Sequence, residues 1–197
     1  MNKIILPTAY FGNIEYYSLI KQADNVLIEA HEHYIKQTYR NRCEIATANG
    51  PLALTVPVKF SNTKKTIVKD VRIDYDTNWQ KIHFKAIESA YRKSPFYEHF
   101  VDDFMFVFEN KENYLLDLNC NIHNVLCSLL KIETPYQLTS DFQRPLPSQP
   151  DYRQILSPKI QSQFQTPKYY QGFEEKQGFL ANLSVLDLLF CEGRIVI

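Results

Sequence analysis

The sequence has no excess of either charge, and this absence sets the first limit on its function. The 197 residues include 22 lysines and arginines and 22 aspartates and glutamates, so the formal net charge is zero. General nucleic-acid binders need a surplus of cations to displace counterions, and we therefore expect no nucleic-acid partner. The charges are unevenly placed, however, since residues 1–100 carry 14 cations and 10 anions. This basic first half is compatible with an anionic small-molecule ligand.

Paired cysteines and long apolar runs are also missing. The four cysteines, Cys43, Cys120, Cys127 and Cys191, are widely spaced. With no Cys-x-x-Cys pair, the sequence offers neither a zinc ribbon nor a thioredoxin motif, and we interpret the cysteines as reduced, mostly buried thiols. The first apolar run, Ile4–Leu6, is too short for a signal peptide and far too short for a membrane span. We therefore predict a cytoplasmic protein without a membrane span.

The apolar content of 45% is enough for one well-buried core in a chain of this length. We predict a single domain over residues 1–197, of mixed α/β class. Its sheet-forming part covers about 1–76, a mainly helical part about 77–132, and a proline-rich irregular segment with a C-terminal helix about 133–197.

The first thirty residues have the pattern of a β-α-β unit. The apolar runs Ile4–Leu6 and Val26–Ile28 are typical of strands covered on both faces, and residues 14–23 have apolar positions near helical spacing. Two strands joined in this way run parallel, with a right-handed crossover. Ligands of open α/β sheets bind beyond the carboxyl ends of the strands. The candidate site therefore includes residues 7–13 and the segment from His31 onward.

Alternating apolar residues from Cys43 to Val58 predict a β-hairpin. The pair Asn49-Gly50 interrupts the alternation and predicts a type I′ turn, in which both central residues need positive φ. Residues 66–73 are interpreted as one more strand.

The helical part begins with an apolar stripe over residues 79–90, which ends at Ser94-Pro95. The aromatic segment 96–108 predicts a second helix, and residues 115–129 predict a clear amphipathic helix. A last helix begins at Ser184 with a capping box formed with Asp187, and it ends at Gly193.

Several blocks of sequence occur together in a way that identifies a family. They are Tyr34-Ile-Lys-Gln-Thr-Tyr-Arg-Asn-Arg42, Leu54-Thr-Val-Pro-Val58, Trp79-x-x-x-His83, Tyr91-Arg-Lys-Ser-Pro-Phe-Tyr97, and the closing block from Gly178 through Asn182-Leu-Ser-x-Leu-Asp187 to Gly193. In this combination the chain resembles the WbqC-like protein family, from the first strand to nearly the last residue. The resemblance implies a role in surface polysaccharide (O-antigen) biosynthesis. It implies a transferase that moves glycine or a similar acyl group to an amino sugar or sugar nucleotide.

One departure from the family pattern lies at the first loop. Many relatives open with Gln-Pro-x-Tyr-Phe-Pro, whereas this chain has Leu6-Pro-Thr-Ala-Tyr-Phe-Gly12. If that glutamine contacts a ligand in those relatives, the contact is missing here.

The segment His31–Arg42 contains two overlapping candidate sites. If the second strand continues to His33, its period of two places Glu29, His31 and His33 on one face, as in a three-ligand zinc site with an open position. No recognised metalloenzyme motif contains them, so we favour the polar end of a strand and expect no metal.

The second candidate in this segment is an anion site. Arg40 and Arg42 flank Asn41 and point the same way in an extended chain, so they can clamp a phosphate or carboxylate with forked donors. Lys36 and Tyr34 complete the site. The alternative is a surface loop whose cations pair with nearby acids, and we favour the ligand role because these residues follow a strand end.

His83 lies one turn after Trp79 on the apolar stripe. A lone histidine there is more often a satisfied core residue than a base. The resemblance makes His83 a candidate general base for the acceptor amine or hydroxyl, and Lys93 a candidate to steady an oxyanion or a donor phosphate. Trp79 and Tyr91 belong to the same blocks and are candidate ligand contacts.

Tyr10 and Phe11 stand in the loop after the first strand, where they either stack on a sugar or base or anchor the loop as buried aromatics. The sequence indicates no particular cofactor. The leading hypothesis is a transferase that takes an anionic substrate, either a sugar nucleotide or an activated acyl donor. A nucleotidyltransferase-like enzyme is a second hypothesis, although residues 7–16 lack its His-x-Gly-His motif, and a non-catalytic binding or assembly protein is a third.

Overall fold

The computed structural model describes residues 2–59 and 65–193. Its first three elements are the predicted β-α-β unit: β1 (Lys3–Pro7), α1 (Ile14–Gln22) and β2 (Asn25–Glu29). The two strands pair in parallel, with Ile4 opposite Val26 and Leu6 opposite Ile28. The Asn13 side chain caps α1 by accepting a hydrogen bond from the Tyr16 N–H at 3.0 Å. The mixed α/β class predicted from the sequence is confirmed.

A third strand extends this sheet from a segment in which we expected none. Strand β7 (Tyr136–Leu138) pairs in parallel with β2, so the strand order is β1-β2-β7. On the other side, Ile5 exchanges backbone hydrogen bonds with Pro150 and Tyr152, both at 2.9 Å. The proline-rich part of the chain therefore covers one edge of the sheet. Three residues are too few to show a strand period, which is why the sequence did not reveal β7.

The predicted hairpin is present, with a different turn. Strands β3 (Arg42–Thr47) and β4 (Gly50–Thr55) pair antiparallel. Gly50 has φ +113°, whereas Ala48 and Asn49, which lie between the strands, do not have positive φ. The type I′ turn predicted from Asn49-Gly50 is therefore wrong.

Residues 66–73 do not form the single strand predicted for them. They contain a 3₁₀ turn (Val68–Asp70) followed by β6 (Arg72–Ile73), which pairs with β5 (Val58–Lys59). The backbone bends because Val68 N–H and Lys69 N–H donate to the carbonyls of Glu32 and Ala30, at 2.9 and 3.0 Å. The loop after β2 thus takes hydrogen bonds that a strand would have made with a neighbour.

Two of the three predicted central helices are confirmed, as α2 (Trp79–Tyr91) and α5 (Leu115–Leu129). The single helix predicted for residues 96–108 is wrong. That segment forms α3 (Tyr97–Phe100), a 3₁₀ turn (Asp102–Phe104) and α4 (Met105–Glu109). Two consecutive aspartates, weak helix formers, stand at the break. Phe104 closes the 3₁₀ turn with φ −106° and ψ 0°, and its ring is buried against Phe11.

The chain closes with α6 (Glu174–Gln177) and α7 (Val185–Glu192). As predicted, Ser184 caps α7 and Gly193 ends it in the left-handed conformation at φ +68°. The capping box is only half correct, because the Asp187 side chain is buried and bonds to tyrosines instead of the cap. One buried apolar cluster runs from Ile4 in β1 to Cys191 in α7. Within residues 2–59 and 65–193, no helix is long and apolar enough to cross a membrane.

Candidate functional site

Four sequence-predicted site residues come together between the loop after β1 and helix α2. The Tyr10 hydroxyl lies 2.9 Å from His83 Nδ1. The ring centroids of Trp79 and His83 are 5.1 Å apart, and those of Tyr10 and Phe11 are 4.8 Å apart. All four side chains are buried, the most exposed at 3%. The sequence blocks that suggested a site therefore meet in space, but they meet in the core.

His83 is held as a neutral ring. Burial lowers the pKa of His83 to about 4, and a hydrogen bond to the Thr55 backbone opposes that lowering. Because this interaction favours the protonated ring, the ring N–H of His83 is the donor and the Thr55 carbonyl is the acceptor. The nitrogen facing Tyr10 is then the acceptor of the tyrosine O–H. Nδ1 is thus engaged with the Tyr10 hydroxyl inside the protein, and a substrate proton reaches that nitrogen only after this bond is broken.

The possible zinc ligands do not share a strand face. Strand β2 ends at Glu29, whose carboxylate accepts hydrogen bonds from the His31 N–H at 2.8 Å and from Arg153 Nη1 at 2.9 Å. The His33 side chain is exposed. In the described ranges, no three His, Cys, Asp or Glu side chains are grouped so that they could hold a metal ion.

The predicted arginine clamp is divided between the core and the surface. Arg40 is 1% exposed, and it forms an ion pair with Glu32 at 2.6 Å and donates to the Arg153 carbonyl at 3.2 Å. Burial raises the pKa of Glu32, and Arg40 opposes this rise. Arg42 lies on β3 and is partly exposed. Arg40 is therefore committed to a buried carboxylate, whereas Arg42 is partly exposed.

The other members of the predicted clamp also separate. Asn41 is buried and donates from Nδ2 to the Val56 carbonyl at 2.9 Å. Tyr34 is 8% exposed, and burial raises its pKa to about 12. Lys36 is exposed. Within His31–Arg42, the predicted contacts Tyr34, Arg40 and Asn41 are thus buried, whereas Lys36 and Arg42 are at least partly exposed.

Tyr91 belongs to a second buried network, which the sequence did not reveal. Its hydroxyl donates to Asp187 Oδ1 at 2.8 Å and accepts a hydrogen bond from the Ala46 N–H at 3.1 Å. Asp187 also accepts from the Tyr169 hydroxyl at 2.5 Å and from Gln171 Nε2 at 3.0 Å. Burial raises the pKa of Asp187, while these donors oppose the rise. The capping-box pattern had given Asp187 another explanation, and Tyr169 and Gln171 carry no sequence motif.

Lys93 is the sequence-predicted catalytic residue that lies at a concave surface. It lines a surface depression of about 380 Å³ at the end of α2. The opposite wall comes from the segment 170–173, and the residues lining the depression are Ser89, Ala90, Arg92, Lys93, Ser94, Tyr170, Gly172 and Phe173. Arg92 and Lys93 are both exposed, and no residue lining this depression is acidic. Small-molecule sites have volumes of this order.

A neighbouring depression of about 420 Å³ lies between α2 and the β3–β4 hairpin. Its lining residues are Thr47, Ala48, Asn49, Pro51, Leu52, Ala86, Ser89, Ala90 and Phe173. Ser89, Ala90 and Phe173 line both depressions, so the two adjoin each other. We call the combined feature the α2 groove.

Comparison with known proteins gives a family and little beyond it. The chain is 29% identical over 145 residues to the uncharacterized protein Rv1507c of Mycobacterium tuberculosis, an alignment that covers 73% of this chain and 62% of that protein. The aligned part of this chain thus covers less than two thirds of that relative. No solved structure significantly matches this chain. The model of the WbqC-like protein family matches residues 8–157, which include β2 to β7, Arg92 and Lys93 but neither β1 nor the groove wall at residues 170–173. The chain belongs to the WbqC-like protein family.

Proposed function

We propose that this protein is a transferase of surface polysaccharide (O-antigen) biosynthesis that binds its anionic substrate in the α2 groove. In this proposal it transfers glycine or a similar acyl group to an amino sugar or sugar nucleotide. The observation that carries the proposal is the position of Lys93. This residue belongs to a family sequence block, is exposed, and lines a groove beside Arg92.

The composition of the groove supports an anionic substrate. Arg92 presents a planar fork of donors and Lys93 a compact cation, and both suit a phosphate or carboxylate. Ser94 adds a hydroxyl to the same lining. Cations are also favourable at a helix C-terminus without any ligand, so their presence alone does not indicate a binding site. Their position along a concave surface that has no acidic side chain in its lining is what favours an anionic ligand.

The chemistry proposed for this site is acyl transfer. The acceptor nitrogen or oxygen attacks the donor carbonyl and loses a proton, and the donor's leaving group departs. Lys93 would stabilise the developing oxyanion or hold a donor phosphate. His83 as the general base stays a prediction, since it requires the Tyr10 or Thr55 bond to open.

Calorimetric and thermal-shift titrations of the purified protein test the proposed site. The ligands are a uridine diphosphate amino sugar and the coenzyme A thioester of glycine. A ligand that binds only the folded state at about 100 times its Kd adds about 2.7 kcal/mol of stability. We expect this stabilisation for the wild type and its loss in the Arg92→Ala and Lys93→Ala variants.

Lys81→Ala is the matched control, because Lys81 is also exposed on α2 and lines neither part of the groove. It lies ten residues before Tyr91, the last residue of α2, or about 15 Å along the helix axis, and Lys93 follows that end. It should bind ligand as the wild type does. Equal binding by all four proteins, or no stabilisation by either ligand, would count against the proposed site.

A non-catalytic binding protein is the second candidate, and one observation favours it. Tyr10, Trp79 and His83, all from family sequence blocks or the first loop, are buried and at most 3% exposed. Mass spectrometry of the protein incubated with both ligands separates the candidates. A transferase gives a glycylated sugar that is greatly reduced in His83→Asn, whereas a binding protein gives no new product.

A further inference from the structure

The α2 groove differs in chemistry from one end to the other. Ala86, Ser89 and Ala90 share one face of α2 and form the floor of the groove, which continues past the end of the helix to Arg92 and Lys93. The part at Lys93 and Arg92 is cationic. The part at the hairpin is lined by Pro51 and Leu52 from β4 and by Phe173. A ligand lying along this face would meet both environments.

The apolar end is open to solvent. Leu52 is 40% exposed, although it belongs to a strand whose next residue but one, Leu54, is 3% exposed. Pro51, which also lines this end, is exposed as well. A single exposed apolar residue needs no explanation, but two neighbouring ones in a concave lining that also contains Phe173 indicate a binding surface.

We propose that the α2 groove takes a substrate that combines an anionic group with an apolar group. The anionic group lies at Arg92 and Lys93, and the apolar group lies between Leu52, Ala86 and Phe173. This inference rests on the proposed function and narrows its substrate class. A substrate with an anionic group alone would leave the hairpin half of the groove empty, and an uncharged apolar molecule would leave both cations without a partner in the ligand.

A homologous series of alkyl phosphates tests the inference by calorimetry. The probes are inorganic phosphate and butyl, hexyl and octyl phosphate, each kept below its micelle-forming concentration. Full burial of two methylenes corresponds to about fifteenfold in affinity. Because the groove is open on one side, we expect about fivefold tighter binding for each two added carbons.

Two variants separate the ends of the groove. Lys93→Ala should weaken every member of the series by a similar factor and leave the dependence on chain length intact. Leu52→Ser should leave inorganic phosphate binding unchanged and remove most of the dependence on chain length. Ile160→Ser is the control, because Ile160 is 49% exposed and lines neither part of the groove. It should keep the full dependence.

The outcomes distinguish this inference from the proposed function. Phosphate binding that requires Arg92 and Lys93 but does not change with chain length overturns the inference and leaves the anion site in place. An equal dependence on chain length in Leu52→Ser and in the wild type also overturns it, because the chain then binds elsewhere. If no probe requires Arg92 or Lys93, both the inference and the proposed site are wrong.

Discussion

Removing the Arg153 side-chain charge tests how much stability depends on the buried ion pairs at the carboxyl end of the sheet. Arg153 Nη1 lies 2.9 Å from Glu29 Oε2, and these side chains are 4% and 0% exposed. Nη2 of Arg153 contacts Asp151 at 2.5 Å and donates to the Gln143 carbonyl at 2.8 Å. Arg153→Met keeps the apolar stem and removes every one of these donors.

The expected loss of unfolding free energy depends on which hydrogen bonds Glu29 keeps in the variant. Breaking a buried ion pair by removing one partner costs about 3–5 kcal/mol, because the remaining charge is buried without compensation. Glu29 still accepts hydrogen bonds from the Thr139 hydroxyl at 2.7 Å and from the Gln143 N–H at 2.8 Å. We therefore expect the low end of the range, about 3 kcal/mol. For a chain of this size, that loss lowers Tm by roughly 6–12 °C.

Urea unfolding followed by circular dichroism measures the change, provided that the m value stays constant. Lys168→Ala is the control, since Lys168 and Glu174 form an exposed pair at 3.7 Å with side chains 80% and 37% exposed. Such pairs contribute about 0–1 kcal/mol. The double variant Glu29→Gln with Arg153→Met should recover part of the loss, because it leaves no unpaired buried charge. A cost below about 1 kcal/mol for Arg153→Met, or no recovery in the double variant, would refute the reasoning.

Three further predictions concern titration and backbone conformation. Burial lowers the pKa values of His83 and His123 to about 4; the stability that they contribute is therefore complete above about pH 6.5 and is lost as the pH falls towards 4. The loss is about 3 kcal/mol for each histidine. When urea unfolding is measured at pH 7, 5.5 and 4, the total loss of unfolding free energy should be smaller in His123→Phe than in the wild type. Burial raises the pKa of Asp187 above its ordinary value of 3.8, so the stability that Asp187 contributes is complete below that pH and is lost as the pH rises through the folded-state pKa. The wild type should therefore lose stability relative to Asp187→Asn as the pH rises. Parallel curves of unfolding free energy against pH would contradict this expectation. Gly193→Ala should lower the unfolding free energy by at least about 1–2 kcal/mol, because Gly193 has φ +68° and a Cβ there would lie 2.7 Å from the Phe96 ring. Gly172→Ala is the control, because no atom lies within 4 Å of the position of its Cβ. It should change the unfolding free energy by less than about 0.5 kcal/mol.

The elements that the sequence predicted correctly are those whose own residues determine them. Ile4–Leu6 and Val26–Ile28 are continuous apolar runs, and α5 has a long apolar stripe. The elements that were missed depend on distant partners. Strand β7 is three residues long and is fixed by its pairing with β2, and the bend at Val68 is fixed by the Glu32 carbonyl. No local pattern contains that information.

The candidate site was harder to predict because the same residue types serve two purposes. Arginine with a forked donor set suits a bound phosphate and equally suits a buried carboxylate. Arg40 has Glu32 as its partner, only eight residues away, yet the sequence did not reveal that Glu32 turns inward. Glu29 and Arg153 are separated by 124 positions, and their pairing depends entirely on the fold.

The buried networks and the groove are connected through the end of α2. Tyr91 and Lys93 are two residues apart, and they face opposite ways: Tyr91 turns into the core towards Asp187, and Lys93 lines the groove. Asp187 also holds Tyr169 and Gln171, which flank Tyr170 on the facing wall. One buried carboxylate therefore ties both walls of the groove to α7. The family block Tyr91–Tyr97 therefore contains both a residue that supports the groove from the core and the exposed cations that line it. For that reason the buried Tyr91 looked like a ligand contact in the sequence, although it faces the core and the groove lies on another side of the helix end.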